Sequence, residues 1–218
     1  MPDHEAQRAG LTLSHVKITR GARTLVDIND HVDPGETLTV MGPSGAGKST
    51  LLSYIIGTLD PTFTARGRVL LNGTDITQLA PEQRHVGILF QDELLFPHLS
   101  VGENLAFGLR PTVRSRTERK RRIDAALTDI GLTGFADRDP ETLSGGQKAR
   151  VALMRMLLSE PKALLLDEPF SRLDAARRDQ IRTLVFAQAR SKGLPVLLVT
   201  HDHADADAAQ GRVHVLNI

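Results

Sequence analysis

Thr37-Leu38-Thr39-Val40-Met41 runs without a break into Gly42-Pro43-Ser44-Gly45-Ala46-Gly47-Lys48-Ser49. The first five residues read as a buried strand, and the next eight match GxxxxGK[ST] at every fixed position. Beyond them, residues 49–56 place apolar side chains at helical spacing and stop at Gly57. Strand, glycine loop and helix in that order form a phosphate cradle. Glycines let successive N–H groups turn onto a phosphate chain, at a helix end whose dipole favours anions. In such a cradle Lys48 is placed for the β and γ phosphates and the Ser49 hydroxyl for Mg²⁺. A glycine-rich turn that binds nothing is the bland alternative, and it has to match the whole pattern by chance.

Outward from the loop, Leu11, Leu13 and Val16 lead to a turn at Gly21, and Val69-Leu70-Leu71-Asn72-Gly73 reads as a strand entering a turn. Between Gln91 and Gly146 the period becomes helical, notably at Ile123, Ala126, Leu127 and Ile130, with turn punctuation at Pro97, Pro111, Gly131 and Gly134. All-apolar strands return at Ala163–Leu166 and Val196–Val199, separated by a helix containing Ile181, Leu184 and Val185. Fully apolar strands alternating with helices imply a parallel sheet covered on both faces.

The strand Ala163–Leu166 delivers Asp167 and Glu168 to its carboxyl end, the edge at which open α/β sheets bind ligands. After a phosphate loop the two acids take separate roles. Asp167 fits a Mg²⁺ position, and Glu168 is placed to polarise an attacking water. A third segment, Leu143-Ser144-Gly145-Gly146-Gln147, opens an apolar helical pattern at Val151, Leu153, Met154 and Leu157. It offers a hydroxyl and free N–H groups at a positive helix end, an arrangement equally expected of an ordinary serine-capped helix.

Composition narrows the setting. The 218 residues suit one α/β domain, and 40% apolar content suffices for one buried core. Balanced charge, 27 basic against 26 acidic side chains, gives no overall attraction to nucleic acid or an anionic membrane. There is no cysteine, which removes disulfides and thiolate metal sites. Residues 1–10 form a polar tail without the apolar segment of a signal peptide, and no apolar run approaches the roughly 20 residues that span a bilayer. A cytoplasmic protein, peripheral to any membrane it serves, is the expectation.

These motifs together resemble the ATPase subunit of an ATP-binding cassette transporter over nearly the whole chain from Leu11. The resemblance implies an α/β fold of the P-loop NTPase type. It has a mostly parallel core sheet, an N-terminal antiparallel β subdomain and a helical insertion at about 92–150, all within one domain over 11–218. It implies ATP and Mg²⁺ as cofactors. Gly42, Pro43, Ser44, Gly45, Ala46, Gly47, Lys48, Ser49 and Thr50 hold the nucleotide, and Ser144, Gly145, Gly146 and Gln147 bind the γ phosphate held by the opposite subunit of a head-to-tail homodimer. Gln91 resembles the glutamine that senses Mg²⁺ and water and links the site to the membrane subunits. Metal ligation falls to Ser49, Gln91 and Asp167, and catalysis to Glu168, His201, Lys48 and Gln91. His201 resembles the switch histidine that holds Glu168 and the water; Ser171-Arg172-Leu173-Asp174 resembles the loop that crosses the dimer interface.

Leu95-Phe96-Pro97-His98-Leu99-Ser100-Val101, Glu103–Leu109 and Asp167-Glu168-Pro169-Phe170-Ser171 are similar to importers of the sulfate, iron, spermidine and thiamine type. The resemblance therefore implies uptake through separate permease subunits served by a solute-binding protein, at the cytoplasmic face of a bacterial inner membrane. Leu94, Leu95, Phe96 and Leu99 either line the permease-gripping groove or belong to the core. Export or lipoprotein extraction shares every catalytic residue, and a soluble non-transport cassette is the third reading. That last class generally shows two cassettes, a coiled coil or zinc cysteines, none of which this sequence contains.

Two positions depart from the family. Arg20 stands where an aromatic residue commonly stacks on adenine, and Arg172 replaces a small residue of the interface loop. Arg114–Arg122, with Glu118 its single acid, reads better as the solvated start of a helix than as a polyanion patch. No nucleic acid is expected as a partner.

Overall fold

The computed structural model describes residues 8–92 and 94–216, apart from the side chains of 175 and 176, so most of the expected polar tail at 1–10 lies outside the described residues. The chain divides into two compact units. One comprises Met1–Ile88, Lys162–Glu168 and Phe186–Ile218; the other comprises Leu89–Pro161 and Pro169–Val185, a longer span than the 92–150 suggested by helical periodicity.

The first unit holds two sheets. Strands β1 (Leu11–Arg20), β2 (Arg23–Val32), β4 (Thr64–Leu71) and β5 (Thr74–Asp75) form an antiparallel sheet in the order β2-β1-β4-β5. Strands β3 (Thr37–Met41), β6 (Val86–Leu89), β7 (Ala163–Asp167), β8 (Val196–Thr200) and β9 (Arg212–Val215) form the order β6-β7-β8-β3-β9, with β3 parallel to both β8 and β9 and β7 parallel to β8. The central β3 and β8 are buried at every position, the expected consequence of covering both faces of a sheet. Helix α1 (Lys48–Ile56) packs its buried Leu51, Leu52 and Ile55 into one apolar cluster with Leu13, Ile18, Val26, Leu38, Val40, Leu165 and Leu197. Burying a side chain of that size stabilises by about 1.5–3 kcal/mol, so this shared cluster joins the two sheets and α1 firmly.

A bulge in β1 breaks its register between Leu13 and Val16. There the β4 backbone passes so close that a Cβ on Gly67 would lie 2.3 Å from the His15 carbonyl oxygen, and Gly67 itself has φ +96. Glycine is required at this position.

In the second unit, α2 (Val101–Gly108), α3 (Arg116–Asp129) and α4 (Gly145–Leu157) each begin at a serine whose hydroxyl accepts from an N–H three residues on. Ser100 with Glu103 and Ser144 with Gln147 complete reciprocal capping boxes. Helices α2 and α4 approach closely at Gly108, where a Cβ would meet the Arg155 carbonyl. Asn104, fully buried on α2, shapes the loop before that helix. Its amide donates to the carbonyls of Phe96, Leu99 and Ser100, and its Oδ1 accepts from the Phe96 N–H at 2.8 Å. Arg155 adds hydrogen bonds to Asn104 Oδ1 and the Leu94 carbonyl, and its guanidinium lies 5.0 Å from the Phe96 ring centre. Helix α5 (Ala175–Ser191) belongs to both units, changing at Val185–Phe186, and α6 (His203–Ala209) belongs to the first.

The basic run opens α3. Glu118 accepts from both Arg121 and Arg122, which hold its carboxyl well below the usual range, at about 2. Arg122 also reaches Glu160, which pairs with Arg110, and Lys120 pairs with Asp124. Much of the charge is thus locally neutralised on an exposed helix face.

Buried Arg84 closes the far end of α1. Its guanidinium donates to the carbonyls of Tyr54, Ile55, Thr77 and Leu79 at 2.6–2.9 Å. Gly57, left-handed at φ +86, leaves room for it, since a Cβ there would lie 2.7 Å from the guanidinium carbon. Arg84→Met removes these donors from four carbonyls, two of them in the last turn of α1, where the Tyr54 carbonyl keeps only the Gly57 N–H at 3.2 Å. The expected loss is about 2–4 kcal/mol, a fall in Tm of roughly 5–15 °C by circular dichroism. A shift of less than about 0.5 kcal/mol, the size of a surface substitution, contradicts the clamp.

Candidate functional site

The phosphate loop leaves β3 at Gly42 and enters α1 at Lys48. Gly45 and Gly47 have φ +82 and +92, and a Cβ on Gly47 would lie 3.0 Å from that of Leu25, so the loop's path depends on glycine. Within the loop the Ala46 N–H bonds to the Pro43 carbonyl and the Leu51 N–H to that of Gly47. Among the described residues, the N–H groups of Gly45, Gly47, Lys48 and Ser49 have no protein acceptor, which leaves donors at a helix start for an anion.

Lys48 is buried at 6% exposure and donates to the carbonyls of Gly42 at 2.8 Å and Pro43 at 3.1 Å. Its Nζ lies 3.6 Å from Glu168 Oε1, and the other Glu168 oxygen lies 3.2 Å from His201 Nδ1. Glu168 has left-handed backbone at φ 46, while its N–H is bonded to the Val199 carbonyl at 2.9 Å. A non-glycine residue in that conformation is uncommon, and here it stands at the end of β7 beside the lysine and histidine.

The Ser49 hydroxyl donates to Asp167 Oδ1 at 3.1 Å. Burial holds the Asp167 carboxyl above its ordinary range and the neighbouring Glu168 charge adds to that, while the Ser49 bond and Lys48 oppose it. A hydroxyl and a carboxylate that sits uncomfortably as an anion suit a hard cation. One hydroxyl with one carboxylate fits an ion that keeps water and phosphate ligands, as Mg²⁺ does.

The first unit thus brings together Lys48, Ser49, Asp167, Glu168 and His201. Gln91 is exposed in an irregular segment of the second unit, and Ser144, Gly145, Gly146 and Gln147 open α4 in that same unit. The Ser144 hydroxyl accepts from the Gln147 N–H, so it already caps its own helix. Gly145 has open space beside it, and Gly146 faces the Arg177 side chain, where a Cβ would lie 3.4 Å away. Several neighbours escaped sequence reading. Arg172 forms an ion pair with Asp92, the residue after Gln91. Arg20 is exposed and lies 5.8 Å from the centre of the Phe63 ring, an aromatic group in the region expected to meet adenine. Thr200 and Asp205 flank His201 as buried polar residues. Only the aromatic character of Phe63 offered a signal.

A glycine loop on a parallel sheet, with lysine, serine and two carboxylates at its carboxyl edge, defines a nucleotide-binding P-loop protein. Residues 25–171 match the family model for the ABC transporter, and the chain belongs to that family. It is 51% identical to an uncharacterized ABC transporter ATP-binding protein, YnjD of Escherichia coli K12, over 86% of each chain. It is 42% identical to the thiamine import ATP-binding protein ThiQ of Jannaschia sp. CCS1, over 95% of this chain and 89% of that one. Among solved structures, cbiO1 of Clostridium perfringens, part of the ABC transporter complex cbiONQ, matches with a TM-score of 0.84 at 29% identity, covering 96% of this chain and 85% of the other. The fold is that of an ABC ATPase, and the chain is an ATP-binding, ATP-hydrolysing subunit of this family.

A raised carboxyl pKa in the folded state means that the native protein binds the Asp167 proton more tightly than the unfolded chain. The associated stability is complete below the unfolded value of about 4 and is lost as pH rises through the raised folded value. At neutral pH the ionised carboxylate therefore destabilises the nucleotide-free protein. Asp167→Asn is expected to raise Tm at pH 7, with the gain shrinking as pH falls toward about 4. An unchanged or lower Tm at pH 7 contradicts this account of the site.

Proposed function

We propose that this chain dimerises on ATP to power solute uptake through separate membrane permease subunits. The observation that carries the reading is the convergence of Lys48, Glu168 and His201 beside the phosphate loop. Lys48, released from the Gly42 and Pro43 carbonyls, neutralises the transferring phosphoryl group. Glu168 accepts a hydrogen bond from the attacking water and orients it, and His201 holds Glu168 in place. Gly42 through Thr50 would wrap the phosphates, and Ser49 and Asp167 would hold Mg²⁺, whose charge would stabilise the phosphate oxygens during transfer.

The two compact units work together as one ATPase domain over 11–218, with the mostly helical unit as the insertion. Ser144, Gly145, Gly146 and Gln147 act in trans on the ATP of the opposite subunit of a homodimer. Import is favoured over export because the relative ThiQ is a thiamine import protein and the segment 95–109 has the importer pattern. No helix among the described residues is long and apolar enough to cross a membrane, which suits a peripheral subunit at the cytoplasmic face. Permease contact falls to the loop held by Asn104. Beside it on α2, Phe107 is 69% exposed with its ring edge-on to Phe96 at 4.8 Å, and Leu94 in the loop is 56% exposed. Leu95 and Phe96 are only half-buried.

Affinity purification of Glu168→Gln from native membranes with ATP and Mg²⁺ tests the whole reading. Recovery of a multispanning permease supports it, whereas ribosomes or DNA-bound proteins without a permease would refute it. In gel filtration with ATP, Glu168→Gln is expected to retain nucleotide and elute as a dimer, and Lys48→Ala to lose ATP affinity by at least about tenfold. A Glu168→Gln protein as monomeric as wild type removes the water-orienting role. Phe107→Asp is expected to abolish permease recovery while ATP affinity stays within about twofold. Undiminished recovery moves the docking surface elsewhere.

A further inference from the structure

His201 sits in a turn whose two sides are fastened by a polar relay outside the phosphate site. Thr200 ends β8, aligned with Met41 at the end of β3, and is 1% exposed. Its hydroxyl donates to Asp205 Oδ2 at 2.9 Å and accepts from the Asp202 N–H at 3.0 Å. Asp205 is itself 3% exposed, on the short helix α6. A threonine hydroxyl has a single proton. By donating it to Asp205, the oxygen presents its lone pairs to the Asp202 amide, so the carboxylate orients the bond that closes the turn around His201. The Asp202 side chain then accepts from the Ala204 N–H at 2.8 Å and ties the turn to α6.

Strand β8 also holds the other half of the pair, since the Glu168 N–H bonds to the Val199 carbonyl. Glu168 and His201 are therefore both referenced to consecutive residues of one strand. His201 is 56% exposed and meets Glu168 at 3.2 Å, so packing contributes little to holding its ring. A buried carboxylate with a buried hydroxyl is costly to desolvate, so their pairing at a strand end calls for a reason. Their placement gains its sense from the residue between them.

We propose that Thr200 and Asp205 are positioning residues that fix the backbone of His201 so that its imidazole meets Glu168. The inference rests on the role given to His201 above. Thr200→Val alone leaves the buried Asp205 carboxylate without this donor and endangers folding, so the informative variant is the paired Thr200→Val/Asp205→Leu, which removes both polar groups together. Thr200→Ser keeps the relay and serves as the conservative control.

The first readout is NMR of the His201 ring in nucleotide-free protein, its resonance identified by loss in His201→Gln. Introducing Glu168→Gln is expected to move that resonance in the wild-type and Thr200→Ser backgrounds and to move it less than about half as far in the paired variant. The second is ATP turnover. The paired variant is expected to lose roughly ten- to a hundredfold in kcat, as a misplaced catalytic group does, with ATP Kd within about threefold of wild type. Adding the pair to His201→Ala is expected to lower kcat no further. An equal additional loss in the His201→Ala background means that Thr200 and Asp205 act independently of His201, which overturns the proposal. If the paired variant keeps both the resonance response and kcat, the positioning role falls while the function stands. If Glu168→Gln leaves the His201 resonance unmoved in wild type, the His201–Glu168 contact falls, and the positioning role with it.

Discussion

A buried ammonium must be paired, and Lys48 imposes that requirement on everything near it. Removing a lysine charge from water costs several kcal/mol unless oxygens replace the lost hydration. Here the Gly42 and Pro43 carbonyls and the Glu168 carboxylate do so. Two carbonyls can turn inward only if the loop folds tightly, which needs left-handed glycines at positions 45 and 47. A carboxylate is within reach only if β7 ends in register with β8 and β3, and that register follows from an apolar parallel sheet. The charge of one side chain thus links loop conformation, strand alignment and acid placement.

The same logic explains why Asp167 and Glu168 behave differently although they are adjacent. Asp167 faces the Ser49 hydroxyl in a position where burial dominates, whereas Glu168 lies between a lysine and a histidine. The site therefore holds opposed charges in close array.

Apolar runs made the buried strands legible because burial on both faces favours apolar residues at most positions of β3, β7 and β8, with Thr37, Thr39 and Thr200 the buried exceptions. Gly57 and the start of α4 were legible because helix ends carry local chemistry that hydropathy does not obscure. The path of the phosphate loop was readable because its glycines fall at the positions whose left-handed backbone they permit, 45 and 47. What escaped reading is buried polarity satisfied by distant backbone. Arg84 stands in a polar stretch, Pro81-Glu82-Gln83-Arg84, that reads as surface, yet its guanidinium replaces water with four carbonyls from two segments. Thr200 and Asp205 were silent because each is a buried polar group that satisfies the other, a pairing that hydropathy does not register. Phe63 beside Arg20 joins residues 43 positions apart, and no local pattern encodes that approach.

The loop between β6 and α2 is neither strand nor helix, yet its backbone is held from inside by Asn104 and Arg155. The Leu94 side chain, by contrast, is exposed on the outer side of that scaffold. Shape and surface chemistry are therefore separable here. Substitutions on the outer side can suit different partners without refolding the segment, so one socket can be retained while the plugs it accepts diverge.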